Sequence, residues 1–131
     1  MLKKTVTYTD YNEVVRTETH YFHYSEAEIL DMEMSVEGGF AERIQRIIDA
    51  KDQISLMKEI KKFVLDAYGI KSDDGRRFMK SDEIRRAFME SPAYSEIWLE
   101  LLSDEKIASD FVNNVIPANM KDKLAAIANK K

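Results

Sequence analysis

Few side chains in this sequence could do chemistry, and their spacing excludes most of it. His20 and His23 are the only imidazoles, and there is no cysteine. Without a thiol there is no thiolate metal site, no cysteine nucleophile and no disulfide framework. In an extended segment, residues three apart point to opposite faces, so the two imidazoles do not converge on one metal ion. The stretch from Ile70 to Ser81 places Gly75 sixth, as a calcium loop does. Ile70 stands where the first oxygen ligand belongs, however, and Ser81 where the closing bidentate carboxylate belongs. An Asp74-Gly75 turn between helices accounts for the same residues. No zincin, hydrolase-elbow, Walker or dinucleotide motif is present. The expectation is a chain with no catalytic residue, no metal and no cofactor, and hence not an enzyme.

What remains is binding. Arg76-Arg77 and Arg85-Arg86 flank a short helical segment, and Lys58, Lys61 and Lys62 lie on another, which invites a helix-turn-helix reading. Asp82 and Glu83 sit where base-reading side chains would have to be, and they repel phosphate. Twenty basic and twenty-four acidic residues leave a net charge of −4, the wrong sign for a nucleic-acid binder. Residues 25–38 carry Glu26, Glu28, Asp31, Glu33 and Glu37 and no basic residue. Such a block either steers a basic partner or is a solvated helix face. Tyr8, Tyr11, Tyr21, Phe22 and Tyr24 gather near the N-terminus. They are interface material if some are exposed, and plain β-formers if not. Met32, Met34, Met57, Met79 and Met89 suit an adaptable apolar surface, but core filling is their commoner use, and at most two belong in an interface. The residues expected to touch a protein partner are Tyr8, Tyr11, Tyr21, Tyr24, Glu26, Glu28, Met32 and Met34.

The elements that must position these residues follow from pattern and caps. Residues 3–9 and 14–24 are rich in β-branched and aromatic types and flank the turn-like Asp10-Tyr11-Asn12-Glu13, which predicts a β-hairpin with one wet face. Ser25-Glu26-Ala27-Glu28 is a capping box, opening a helix to about Ser35. Phe40, Ile44, Ile47 and Ile48 make a helical stripe. Asp52 begins the next helix, about Gln53 to Tyr68, with Gly69 read as its C-terminal cap and a polar loop from Lys71 to Arg77. Ser81, Ser91-Pro92 and Ser103 open three more helices. Their stripes include Ile84 and Phe88, Ile97 and Trp98, and Ile107 and Phe111. Pro117 ends the third, and Ala118 to Asn129 forms a last segment. The predicted fold class is α+β: an N-terminal β-hairpin (1–24) followed by a bundle of six or seven short helices (25–129), one domain over 1–131. Phe63, Trp98 and Phe111 are expected where the helices meet. No apolar run approaches the ~20 residues of a membrane span, and Met1-Leu2-Lys3-Lys4-Thr5 does not read as a signal peptide. The expected address is a cytoplasm.

Several blocks in fixed order carry a family resemblance. They are Gly38-Gly39-Phe40-Ala41-Glu42-Arg43-Ile44-Gln45-Arg46-Ile47-Ile48-Asp49-Ala50-Lys51-Asp52, then Tyr68-Gly69-Ile70-Lys71-Ser72-Asp73-Asp74-Gly75-Arg76-Arg77-Phe78. Lys80-Ser81, Ala93-Tyr94-Ser95-Glu96 and Phe111-Val112-Asn113-Asn114-Val115-Ile116-Pro117 follow. With the Thr/Tyr-rich hairpin and the Ser25 capping box, nearly the whole chain resembles the tail assembly chaperones of long-tailed bacteriophages. It departs from them at Arg77 and Met79, where members often have Lys and Ile, and near Asn114, where they often have Gly. The resemblance implies a non-enzymatic protein of the host bacterial cytoplasm that binds the tape measure protein, the major tail tube protein, or both, and is absent from the mature virion. A homo-oligomer is compatible with it; nucleic acid and membrane are not expected partners. Two other roles stay open at this stage: a structural tail component kept in the virion, and a small phage regulator or inhibitor that binds a host protein.

Overall fold

A computed structural model describes residues 1–35, 37–39, 42, 43, 46 and 49–115. The stripe Phe40, Ile44, Ile47 and Ile48, Pro117, and the segment from Ala118 to Asn129 lie outside the described residues. The chain falls into two compact units: Met1–His23 with Asp66–Val115, and a second built on Tyr24–Leu65.

The first unit begins with the expected hairpin, β1 (Leu2–Thr9) and β2 (Val15–Phe22). Asp10 ties its turn. One carboxylate oxygen accepts from Asn12 N and Val14 N, the other pairs with Arg16 Nε, and Glu13 takes the left-handed conformation at φ 64°. Two further strands, β3 (Tyr68–Lys71) and β4 (Phe78–Met79), extend the sheet in the order β1-β2-β3-β4, all antiparallel.

This overturns the expected fold of a hairpin followed by six or seven helices. The sheet has four strands, and the described residues hold five helices: α1 (Glu26–Met34), α2 (Gln53–Ala67), α3 (Asp82–Met89), α4 (Pro92–Ser103) and α5 (Glu105–Val115). The misreading centres on Gly69. It caps no helix but lies in β3 opposite Tyr21. A Cβ there would sit 2.6 Å from Phe78 Cε2 and 2.8 Å from Met79 O. Glycine is needed for close approach of β4, not for a left-handed turn. The Asp74-Gly75 turn joins two strands rather than two helices. Ser72 N–H donates to Arg77 O at 2.9 Å, and Gly75 carries the positive φ of 74°.

Phe22 is the hub of this unit. It is 0% exposed, and its ring meets Tyr68, Phe88 and Phe111 edge-on at 5.1–5.9 Å between centroids. Ala93, Ile97, Leu101 and Val115 complete the helical side of the core. Phe63 and Phe111 are buried as the stripes require, but Trp98 is only half-buried and Ile97 takes the inward position. The α4 stripe is thus one residue out of phase with the aromatic. Ser103 is the last residue of α4 and not a cap; Asp104 receives the backbone N–H of Lys106 at 2.9 Å.

In the second unit the capping box forms as read. Ser25 Oγ accepts from Glu28 N at 3.2 Å, and the Glu28 carboxylate accepts from Ser25 N at 3.0 Å. Asp52 opens α2, accepting from Ser55 N at 3.0 Å. Tyr24, Ile29, Phe63 and Val64 are buried.

Candidate protein-binding surfaces

The hairpin register sorts its side chains onto two faces. Lys3, Thr5, Thr7 and Thr9 share one face with Val15, Thr17, Thr19 and Tyr21; Leu2, Lys4, Val6 and Tyr8 share the other with Arg16, Glu18, His20 and Phe22. The threonine face is the wet one. Its hydroxyls pair across the strands, Thr5 with Thr19 and Thr7 with Thr17, each at 3.0 Å. Tyr21 continues this face toward β3, half-buried, with Lys71 Nζ 5.6 Å from its ring centre. At the hairpin tip Tyr11 is 82% exposed, beside exposed Val14 and Val15.

On the opposite face Tyr8 is half-buried and its hydroxyl donates to Glu18 Oε1 at 2.5 Å. That hydrogen bond holds the Tyr8 hydroxyl above its ordinary pKa. His20 lies next along the strand in an open groove of about 670 Å³, lined also by Tyr68, Ile84, Ala87 and Phe88 with Glu18 and Glu83. Tyr68 stacks on Phe88 at 3.9 Å and 8°, and the His20 ring tilts over both. Burial pushes the His20 pKa down, against the raising effect of Glu18, 3.6 Å away. Burial pushes the Tyr68 hydroxyl up. This groove was not read from the sequence. Its signal was the pair of β-forming runs either side of Asp74-Gly75, which bring Tyr68 beside β2. Ser91 also lines it, but its hydroxyl is bonded to Phe88 O at 2.6 Å and is not poised on the imidazole. His23 packs against Phe78 instead, edge-on at 6.0 Å.

The second unit carries the other expected contact residues. Tyr24 is 3% exposed, and its hydroxyl donates to Phe63 O, so it is an internal anchor. Glu28 is engaged in the cap, and Glu26 is half-buried beside it in the first turn, where acidic charge suits the helix dipole. Met32 is half-buried. Met34 is 75% exposed, and Leu30, four residues earlier on the same face, is 37% exposed. α1 therefore turns Ile29 inward and presents Leu30 and Met34 outward within an acidic frame of Glu26, Asp31 and Glu33. The exposure of Leu30 was missed, because the alternating and helical readings of 30–36 place it differently.

Of the basic residues considered for DNA, Arg85 is tied to carboxylates. Arg85 meets Asp82 at 2.5 Å and Asp66 at 3.9 Å. The Asp74 carboxylate accepts from Arg76 N and Ser72 Oγ, which holds its pKa low and turns it inward on its own loop. Among the described residues no cluster of three or more His, Asp or Glu side chains is placed to hold a metal ion, and no helix is long and apolar enough to cross a membrane.

No curated protein and no solved structure matches the chain. A family model does: that of the phage tail assembly chaperones matches residues 1–130. With exposed apolar and aromatic side chains framed by charge, and with nearly its whole length covered by that match, the chain belongs to the phage tail assembly chaperone family.

Proposed function

We propose that this protein holds the tape measure protein, and tail tube subunits with it, in soluble form while the tail is built, and is left out of the finished virion. A tail assembly chaperone acts in the host cell during assembly, and membership in the family supports a non-enzymatic role. The observation that carries the finer reading is the Leu30–Met34 face of α1. A client rich in apolar helical stripes needs an apolar contact that adapts its shape, and an unbranched methionine provides one. The acidic rim around it keeps the free protein soluble and speeds encounter with basic client segments. Tyr11 with Val14 and Val15 at the hairpin tip offers a second contact, of the aromatic kind that anchors interfaces. Tyr8 and Tyr21 support the strands behind it.

Co-expression with the tape measure protein of the same phage tests this. Soluble recovery and co-purification should rise with the wild-type chain, and fall with Leu30→Asp/Met34→Asp. That variant should melt as the wild type does, because both side chains face solvent. A tape measure protein equally soluble alone, with neither it nor the tube subunit retained, would refute the reading. Detection of the chain by mass spectrometry in purified virions would instead make it a structural tail component.

A further inference from the structure

The hydrogen-bond phase of the hairpin reveals which backbone groups face outward. Asp10 N–H donates to Val14 O at 2.9 Å, and Glu13 N–H to Asp10 O at 3.0 Å, so Asp10 and Val14 close the ladder as a hydrogen-bonded pair. Such pairs recur at every second position, through Tyr8–Arg16, Val6–Glu18 and Lys4–His20 to Leu2–Phe22. The far side of β2 sets the same phase independently. Tyr21 faces Gly69 of β3, and His23 N–H donates to Ala67 O at 2.8 Å, so odd-numbered residues of β2 turn their backbone groups away from β1. It follows that Lys3, Thr5, Thr7 and Thr9 of β1 point their N–H and C=O groups away from β2. β1 is the edge of the sheet, no described strand pairs with that side, and all four residues are exposed.

We propose that this edge pairs with the same edge of a second copy of the chain, β1 antiparallel to β1 across a two-fold axis, with Thr5 opposite Thr7 of the other copy. Two-fold symmetry requires each contact to be made twice, and this register meets that requirement with every outward group. Lys3 faces Thr9, Thr5 faces Thr7, and the symmetry mates repeat both. A slip of two residues either way puts Lys3 or Thr9 opposite the strand end or the turn. The same register extends the hydroxyl pairing already present within each copy. Thr19–Thr5 and Thr7–Thr17 join into one row of threonines across four strands, a favourable cross-strand combination. It also keeps like charges apart. Lys3 and Lys4, which by their position discourage other pairings of an edge, fall opposite Thr9 and Tyr8. Lys4 is already bound to Glu100 at 2.8 Å. An unrelated strand has no reason to match this pattern, whereas a second copy matches it by construction.

The test is the mass of the full chain in solution by light scattering, over about a hundredfold range of concentration, since a dimer responds to mass action. The wild type should run at twice the 15.2 kDa chain mass at the upper end. Thr7→Pro removes one outward N–H and none of the β1–β2 hydrogen bonds. It should raise the dissociation constant at least about tenfold while the far-UV circular dichroism is retained. Should that proline disturb folding, a charge pair answers the same question. Thr5→Lys/Thr7→Lys sets lysine opposite lysine and should give monomers, whereas Thr5→Glu/Thr7→Lys sets Glu opposite Lys and should restore the dimer. A wild-type chain that stays at the monomer mass throughout would overturn the proposal and leave the edge to an extended client segment. So would a Glu/Lys variant no more dimeric than the Lys/Lys one.

Discussion

Alanine in place of Gly69 should destabilise this protein, and the size of the loss can be worked from the sheet. The added Cβ would lie 2.6 Å from Phe78 Cε2, 2.9 Å from Cζ and 2.8 Å from Met79 O. Ordinary contact needs the better part of an ångström more. The Phe78 ring has His23 and Lys80 packed on it, and the Met79 carbonyl is backbone of β4. Overpacking of this kind costs about 1–3 kcal/mol. Loss of glycine's freedom in the unfolded chain offsets about 0.4–1 kcal/mol. A net loss of about 1–2 kcal/mol remains, a fall of roughly 4–8 °C in melting temperature for a chain of this size. Urea titration and thermal circular dichroism measure it. In a Phe78→Ala background the cost of Gly69→Ala should shrink, because the ring contact is gone. Gly69→Asn discriminates further. A left-handed helix cap accepts asparagine, whereas a crowded strand position resists it more than alanine. If Asn is tolerated better than Ala, Gly69 caps a helix and β3 is wrong.

Two other outcomes are expected. Phe22→Ala should cost about 3–5 kcal/mol, since its fully buried ring joins the sheet to Phe88 and Phe111 and leaves a cavity when removed; a denaturant midpoint close to wild type would show that the hub lies elsewhere. Burial lowers the pKa of His20 in the folded state, against the raising effect of Glu18. The unfolded chain then binds the proton first, so stability is complete above the unfolded value of about 6.5 and declines as pH falls from there through the lowered native value. His20→Gln should flatten denaturation curves across that interval, and an unchanged pH dependence would count against a lowered His20 pKa.

Local features were legible in the sequence because their causes are local. The capping box at Ser25 and Glu28, the cap at Asp52, the Asp10 turn and the strands on either side of it depend on residues within a few positions of one another, and each stands where pattern and cap chemistry put it. The threonines and charges of the two strands pointed to one wet face, and the register puts the threonines on it. Among the candidate contact residues, exposure was not legible from residue type. Tyr11 and Tyr24 are both tyrosines of the N-terminal cluster, yet one is 82% exposed at a turn and the other 3% exposed with its hydroxyl on Phe63 O.

What only the tertiary structure decided is where distant segments meet. Tyr68-Gly69-Ile70-Lys71 follows directly on a strong helix, and a glycine one residue past a helical stripe has the look of a cap. Pairing with Tyr21 and Phe22, nearly fifty residues earlier in the chain, makes it a strand, and the bulk of Phe78 then makes glycine obligatory. The His20 groove and the half-burial of Trp98 beside a buried Ile97 arise in the same way, from which face a neighbouring element covers. Sequence pattern carries the period of an element and the chemistry of its ends. The choice of partner strand and the phase of burial are set by packing between segments far apart in the chain, and that free energy has no local signature.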